Sequence, residues 1–113
     1  MIYLSSYFFI NIVMSTRPVM RVGDFHAGHK CVTFHATPFV KGSSNVFVNG
    51  KACVRFGDNT ACTDTAVPVT GTVFVNGLPI ATTGSPTSGH EPCFPPTVCA
   101  NGSDTVFAKP AVV

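Results

Sequence analysis

Hydrophobic and polar positions alternate along two nearly identical stretches, Val46-Phe47-Val48-Asn49-Gly50 and Val73-Phe74-Val75-Asn76-Gly77, the second starting 27 residues after the first. Such period-two alternation of β-branched and aromatic residues predicts strands with one face buried. Each run ends in Asn-Gly, a pair that tolerates the positive φ angles of a type I′ turn, so each is expected to open a hairpin. The return strands repeat too: Lys51-Ala52-Cys53-Val54-Arg55-Phe56-Gly57-Asp58 aligns with Leu78-Pro79-Ile80-Ala81-Thr82-Thr83-Gly84-Ser85. An earlier match to this second half stands at Arg17-Pro18-Val19-Met20-Arg21-Val22-Gly23-Asp24, and Asp104-Thr105-Val106-Phe107-Ala108-Lys109-Pro110 carries the first half alone. The chain therefore reads as three units, the outer one split between the termini, and the expected fold is all-β.

The register assigns roles to individual residues. Val46, Val48, Val54 and Phe56 suit a pleated, half-buried surface. Cys53 aligns with Val19 and Ile80, which predicts a small core hydrophobe without a redox role. Asp24, Asp58 and Ser85 share one position and are expected to accept backbone N–H bonds at a loop entrance. Paired acid and base catalysis would need a cleft, and no stretch of the sequence supplies one.

Beyond the units lie residues with metal-binding chemistry. His26 stands two residues past Asp24, Cys62 four past Asp58 and His90 five past Ser85, and His35 follows in the first loop. Three hairpins around a pseudo-threefold axis would bring those loops to one end of the molecule. Three imidazoles and one thiolate there would form a closed tetrahedral zinc site with bonds of about 2.0 to 2.3 Å. The first loop also holds His29 and Cys31, rivals of His26 and His35. His90 and Cys93 could share one ion, and Cys93 and Cys99 could form a disulfide. The five cysteines are odd in number and no export signal precedes them, so free or packed thiols are expected at Cys93 and Cys99.

Composition narrows the function. A chain of 113 residues makes one small domain whose core alone is marginal, so a staple is useful. Only 11% of residues are charged and 45% are hydrophobic, a surface suited to an assembly. The net charge of +2 comes without a Lys/Arg cluster, which makes no case for nucleic acid. Residues 1–14 are apolar, without a signal peptide's basic start and shorter than the about 20 residues that span a bilayer. They read as an N-terminal extension of doubtful status, since Met14-Ser15-Thr16-Arg17 would itself serve as a start; a β-strand extension or a membrane-surface segment are the alternatives.

The glycine-and-aspartate-terminated strands, the paired VFVNG hairpins and the loop ligands together resemble the PAAR-repeat family. Its namesake tetrapeptide stands here as Pro18-Val19-Met20-Arg21, Ala52-Cys53-Val54-Arg55 and Pro79-Ile80-Ala81-Thr82, no copy intact, within a resemblance that runs from about residue 15 to 110. The resemblance implies a small conical fold over residues 15–113, built of three pseudo-threefold β-hairpin repeats, with one zinc ion (or iron) at the apex. By motif position the ligands would be His26, His35, Cys62 and His90. The implied role is non-enzymatic: a monomer on a trimer, capping the trimeric β-helical spike protein of a contractile injection machine and meeting the target cell envelope during contraction. A phage tail tip, made in the host cytoplasm and carried in the virion, is the expectation, because the chain has no room for a toxin domain. The tip of a type VI secretion spike is the alternative. A metal-dependent hydrolase is the reading from another class, with Glu91 as its base.

Overall fold

The computed structural model describes residues 2–4, 8–10, 16–68 and 73–109, the first two segments as backbone only. Among these residues there are ten short strands and no helix: β1 (Ile2–Leu4), β2 (Phe8–Ile10), β3 (Arg17–Pro18), β4 (His29–Cys31), β5 (Thr33–His35), β6 (Val46–Val48), β7 (Lys51–Ala52), β8 (Phe74–Val75), β9 (Leu78–Pro79) and β10 (Val106–Ala108). The two VFVNG stretches form the hairpins β6–β7 and β8–β9. Asn49 and Gly50 turn at φ 54° and 78°, and Asn76 and Gly77 at 55° and 80°, as a type I′ turn requires.

The split unit closes as the register predicts, because β10 near one terminus pairs antiparallel with β3 near the other. Phe47, Phe74 and Phe107 stand opposite Ala52, Pro79 and Pro18 in the three equivalent hairpins. The C-terminal strand thus completes the N-terminal half-unit.

Backbone bonds then tie the three units into a ring. The amide of Met20 donates to Ala81 O (3.0 Å), Ala81 to Val54 O (3.0 Å) and Val54 back to Met20 O (3.1 Å), and these equivalent residues are buried on the axis. Layers of equivalent side chains stack along it: Val48, Val75 and Ala108, then Val19, Cys53 and Ile80, then Met20, Val54 and Ala81, then Phe39, Ala66 and Cys99. Cys53 is the core hydrophobe its alignment predicts, and burial pushes its thiol up to about 12.

The loop-entrance acids act structurally. Asp24 accepts from the Arg21 backbone N–H (2.9 Å) and from its guanidinium (2.9 and 3.0 Å), and Asp58 does the same for Arg55 (2.9, 2.9 and 3.2 Å). Each arginine also donates to the asparagine of a neighbouring turn, Arg21 to Asn49 (3.0 Å) and Arg55 to Asn76 (2.9 Å). These bonds to carboxylate hold both guanidinium pKa values above the ordinary value. In the third unit Ser85 Oγ accepts from the Thr82 N–H alone (3.0 Å).

Two short strands of the N-terminal extension add to two of the three hairpins. β1 pairs parallel with β6, and β2 pairs parallel with β10. These pairings fit the β-strand alternative for residues 2–4 and 8–10; the rest of residues 1–14 lies outside the described residues.

Candidate metal centre

The threefold pattern continues past the loop entrances and then breaks. The amides of Phe39, Ala66 and Cys99 donate to the carbonyls of Asp24, Asp58 and Ser85, and those of Ala27, Ala61 and Ser88 donate to Val98, Pro38 and Thr65. Above this level the loops differ. The first grows the hairpin β4–β5, in which His29 stands opposite His35. The second stays short and turns at Thr63, and the third closes with reciprocal backbone bonds between His90 and Phe94 (3.0 Å each). Gly89 precedes His90 at φ +74°, where a Cβ would lie 2.6 Å from Phe94 O, so only glycine lets this loop fold back on itself.

Four side chains converge where the loops meet. The donor atoms of His29, His35, Cys62 and His90 all lie within 4.8 Å of one another. The Nε2 atoms of His29 and His35 are 2.8 Å apart, those of His35 and His90 3.2 Å, and those of His90 and His29 3.0 Å. Cys62 Sγ lies 3.9 Å from His29 Nε2.

Tautomer logic shows what such a cluster needs. His29 Nδ1 lies 2.8 Å from Pro95 O and His90 Nδ1 lies 2.7 Å from Glu91 O. A carbonyl can only accept, so each Nδ1 carries the proton and each Nε2 presents a lone pair. Lone pairs facing each other at 3.0 Å repel unless a cation stands between them. Bonds of about 2.0 Å in a tetrahedron imply donor spacings of about 3.3 Å, near those observed. The donor set therefore fits a metal ion.

Electrostatics agrees with that fit. His35 has its pKa lowered by desolvation and by the neighbouring His29 and His90, which favours the neutral, ligating form. Burial pushes the Cys62 thiol up, but hydrogen bonds to the Thr37 and Thr60 hydroxyls and to the Asp64 backbone outweigh it, and the net shift is downward, toward thiolate. Phe94 lies over the cluster, stacked on His35 (4.3 Å between centroids) and His90 (4.6 Å).

Three of the four residues expected from sequence, His35, Cys62 and His90, thus meet at one point. The fourth donor in that group is His29, while His26 falls in a second group with His29 and Asp64 whose donor atoms likewise lie within 4.8 Å of one another. His26 lies one layer below, buried, with Nε2 3.3 Å from Thr37 Oγ1 and 3.8 Å from Cys62 Sγ, and Nδ1 3.1 Å from Asp64 Oδ2. Register explains the difference. His26 is two residues past Asp24, where the other units place the buried Thr60 and Thr87; His29 is five past Asp24, as His90 is five past Ser85. The offset of five is shared by His29 and His90 only, since Cys62 stands four past Asp58.

One pair of cysteines differs from expectation, while Cys99 does not. Cys31 and Cys93 form a disulfide with Cα atoms 5.5 Å apart, so Cys93 is neither free nor joined to Cys99. Cys99 is a packed core thiol, pushed up to about 12 by burial. The bridge spans 62 residues and joins two loop insertions with no counterpart in the repeat, which hid it from a reading by register.

A family model described as PAAR motif matches residues 9–68. No curated protein matches the chain.

Proposed function

The chain belongs to the PAAR-motif family, whose match covers more than half of it and makes it a spike-tip protein of contractile injection systems, and from that premise we propose that it is a piercing tip hardened by one metal ion. The ion is held by His29, His35, Cys62 and His90. Zinc suits three imidazoles and a thiolate, with iron as the alternative. The observation that carries this reading is the set of Nε2 atoms facing one another at 2.8 to 3.2 Å with a thiol beside them.

A tip needs such an ion for geometric reasons. Near the vertex too few side chains remain to exclude water, and the apolar layers end below the loops at Phe39, Ala66 and Cys99. Structural zinc contributes on the order of 10 to 16 kcal/mol in small domains, against about 25 cal/mol per Å² of apolar burial, so one ion replaces several hundred Å² of core. Four protein donors leave no coordination position for water or substrate, which supports a structural ion over a hydrolytic one. Glu91 lies outside the clustered donors.

The opposite end docks on the spike. Three equivalent hairpins present an approximately threefold base, so one monomer caps a trimeric β-helical spike protein with each unit meeting the same surface. The parallel pairing of β1 with β6 and of β2 with β10 is main-chain strand addition made within this chain, the kind of contact a β-helix end would offer at a free edge. We assign the machine to a phage tail, so that the protein travels in the virion and enters the target cell envelope on sheath contraction; a type VI spike is the second reading. Native mass spectrometry of the metal-loaded chain mixed with the machine's spike trimer is expected to give one chain and one ion per trimer. Absence of a complex, or three chains per trimer, contradicts the docking scheme.

A further inference from the structure

Beneath the cluster sits a carboxylate that the ligand set does not use. Asp64 is fully buried, with its side chain at 0% exposure. It touches all three apex loops. It lies two residues past Cys62 in the second; its Oδ1 accepts the Gly89 N–H at 2.7 Å in the third, immediately before His90; and its Oδ2 lies 3.1 Å from His26 Nδ1 and 3.9 Å from His29 Nδ1 in the first. The Oδ2 atom faces His26 Nδ1 at 3.1 Å with poor alignment, so this fully buried carboxylate oxygen is only weakly satisfied by its imidazole neighbour.

We propose that Asp64 is the positioning carboxylate and counter-charge of the metal centre, holding the three ligand loops in register and selecting a divalent ion. This rests on the metal reading above. A divalent cation with one thiolate and three neutral imidazoles carries a residual charge of +1, and Asp64 in the adjoining layer brings the apex to neutrality. Burial strengthens that interaction, because little water intervenes to screen it. The same residue acts through its neighbours. Its bond to the Gly89 amide fixes the backbone entering His90, and its Oδ2 faces the side of His29 opposite the Nε2 that points into the cluster. The Nδ1 proton of His29 goes to Pro95 O, so Asp64 acts on the centre through the Gly89 amide and through its charge; loss of carboxylates outside a ligand shell lowers metal affinity by about 10- to 100-fold. His26 stacks edge-on against His29, with centroids 4.9 Å apart, and fills the space between the carboxylate and the donors.

The test compares Asp64→Asn and Asp64→Glu with the unsubstituted chain, by zinc competition against a chromophoric chelator and by the visible spectrum after cobalt substitution. Asp64→Asn is expected to keep one ion per chain, to bind it about 10- to 100-fold more weakly and to shift the cobalt bands; Asp64→Glu, which keeps the charge, is expected to recover part of the affinity. An Asn variant that folds only when metal is supplied also supports the proposal. Wild-type affinity with an unchanged spectrum overturns it. So do equal losses in the two variants, and so does an Asn variant unfolded both with and without metal, whose defect would belong to the chain rather than to the centre. Cys62→Ser is the control: if zinc binding survives it unchanged, the metal reading itself fails, independently of Asp64.

Discussion

Contacts at the base of the molecule occur in threes, whereas those at the apex occur once. The base repeats its hairpins, its apolar layers and the ring of backbone bonds through Met20, Val54 and Ala81. Even there the copies are unequal, since Arg21–Asp24 and Arg55–Asp58 are charged clamps and Thr82–Ser85 is a single neutral bond. At the apex one hairpin, one short turn and one proline-rich loop each supply different donors to a single cluster. On the proposed metal reading the fold and the centre are separable: symmetric burial stabilises the base, and coordination would stabilise what burial cannot reach.

The largest effect that would break this comparison is loss of the thiolate. Cys62→Ser is expected to bring metal content below one equivalent and to remove on the order of 5 kcal/mol of metal-loaded stability, a fraction of the full structural-zinc contribution. Hydrogen exchange should then rise at His90 and Phe94 while the Met20, Val54 and Ala81 amides stay protected. Simultaneous loss in both regions would show that apex and base form one cooperative unit.

Opening the covalent tie comes next. The Cys31–Cys93 bond joins the hairpin that carries His29 and His35 to the loop that carries His90, and Cys93 is exposed to reductant. Cys93→Ser is expected to cost about 2 to 4 kcal/mol, as for other bridges closing long loops, and to speed metal loss to a chelator. Unchanged release kinetics would mean that the bridge serves the loops and not the centre.

The two rival histidines sharpen the comparison further. His29→Ala is expected to weaken zinc binding by at least about 100-fold, equivalent to about 2.7 kcal/mol, whereas His26→Ala should keep one ion and lose stability mainly through the cavity it leaves. Chelator competition on both variants decides between them, and a larger affinity loss at His26 would reverse the ligand choice.

How much of this was legible follows the same division. The hairpins, the split unit and the core place of Cys53 could be read from sequence because Val19, Cys53 and Ile80 are buried in one layer of the core, at one position repeated three times. The gathering of Cys62 and His90 followed from where the loops had to emerge, whereas His35 came from the family resemblance. His29 was within reach of the same register. The Cys31–Cys93 bridge was not, because both cysteines sit on insertions whose paths no other unit repeats. Asp64 escaped notice for a related reason: Thr63 and Asp64 belong to the one loop too short to carry an insertion, and only the folded arrangement brings Gly89 and His26 against it.

A smaller effect is expected at the base. Asp58→Asn removes the charge from the Arg55 clamp and should cost about 1 to 3 kcal/mol in thermal or denaturant unfolding, with metal content unchanged. A fall in bound metal would couple the clamps to the apex and erase the distinction drawn here.

X-ray absorption at the zinc edge of the metal-loaded chain addresses the centre directly. Three nitrogen scatterers at about 2.0 Å and one sulfur at about 2.3 Å, with no oxygen in the shell, is the expected result. A shell without sulfur, or one completed by a water oxygen, would contradict a closed apex held by three histidines and Cys62.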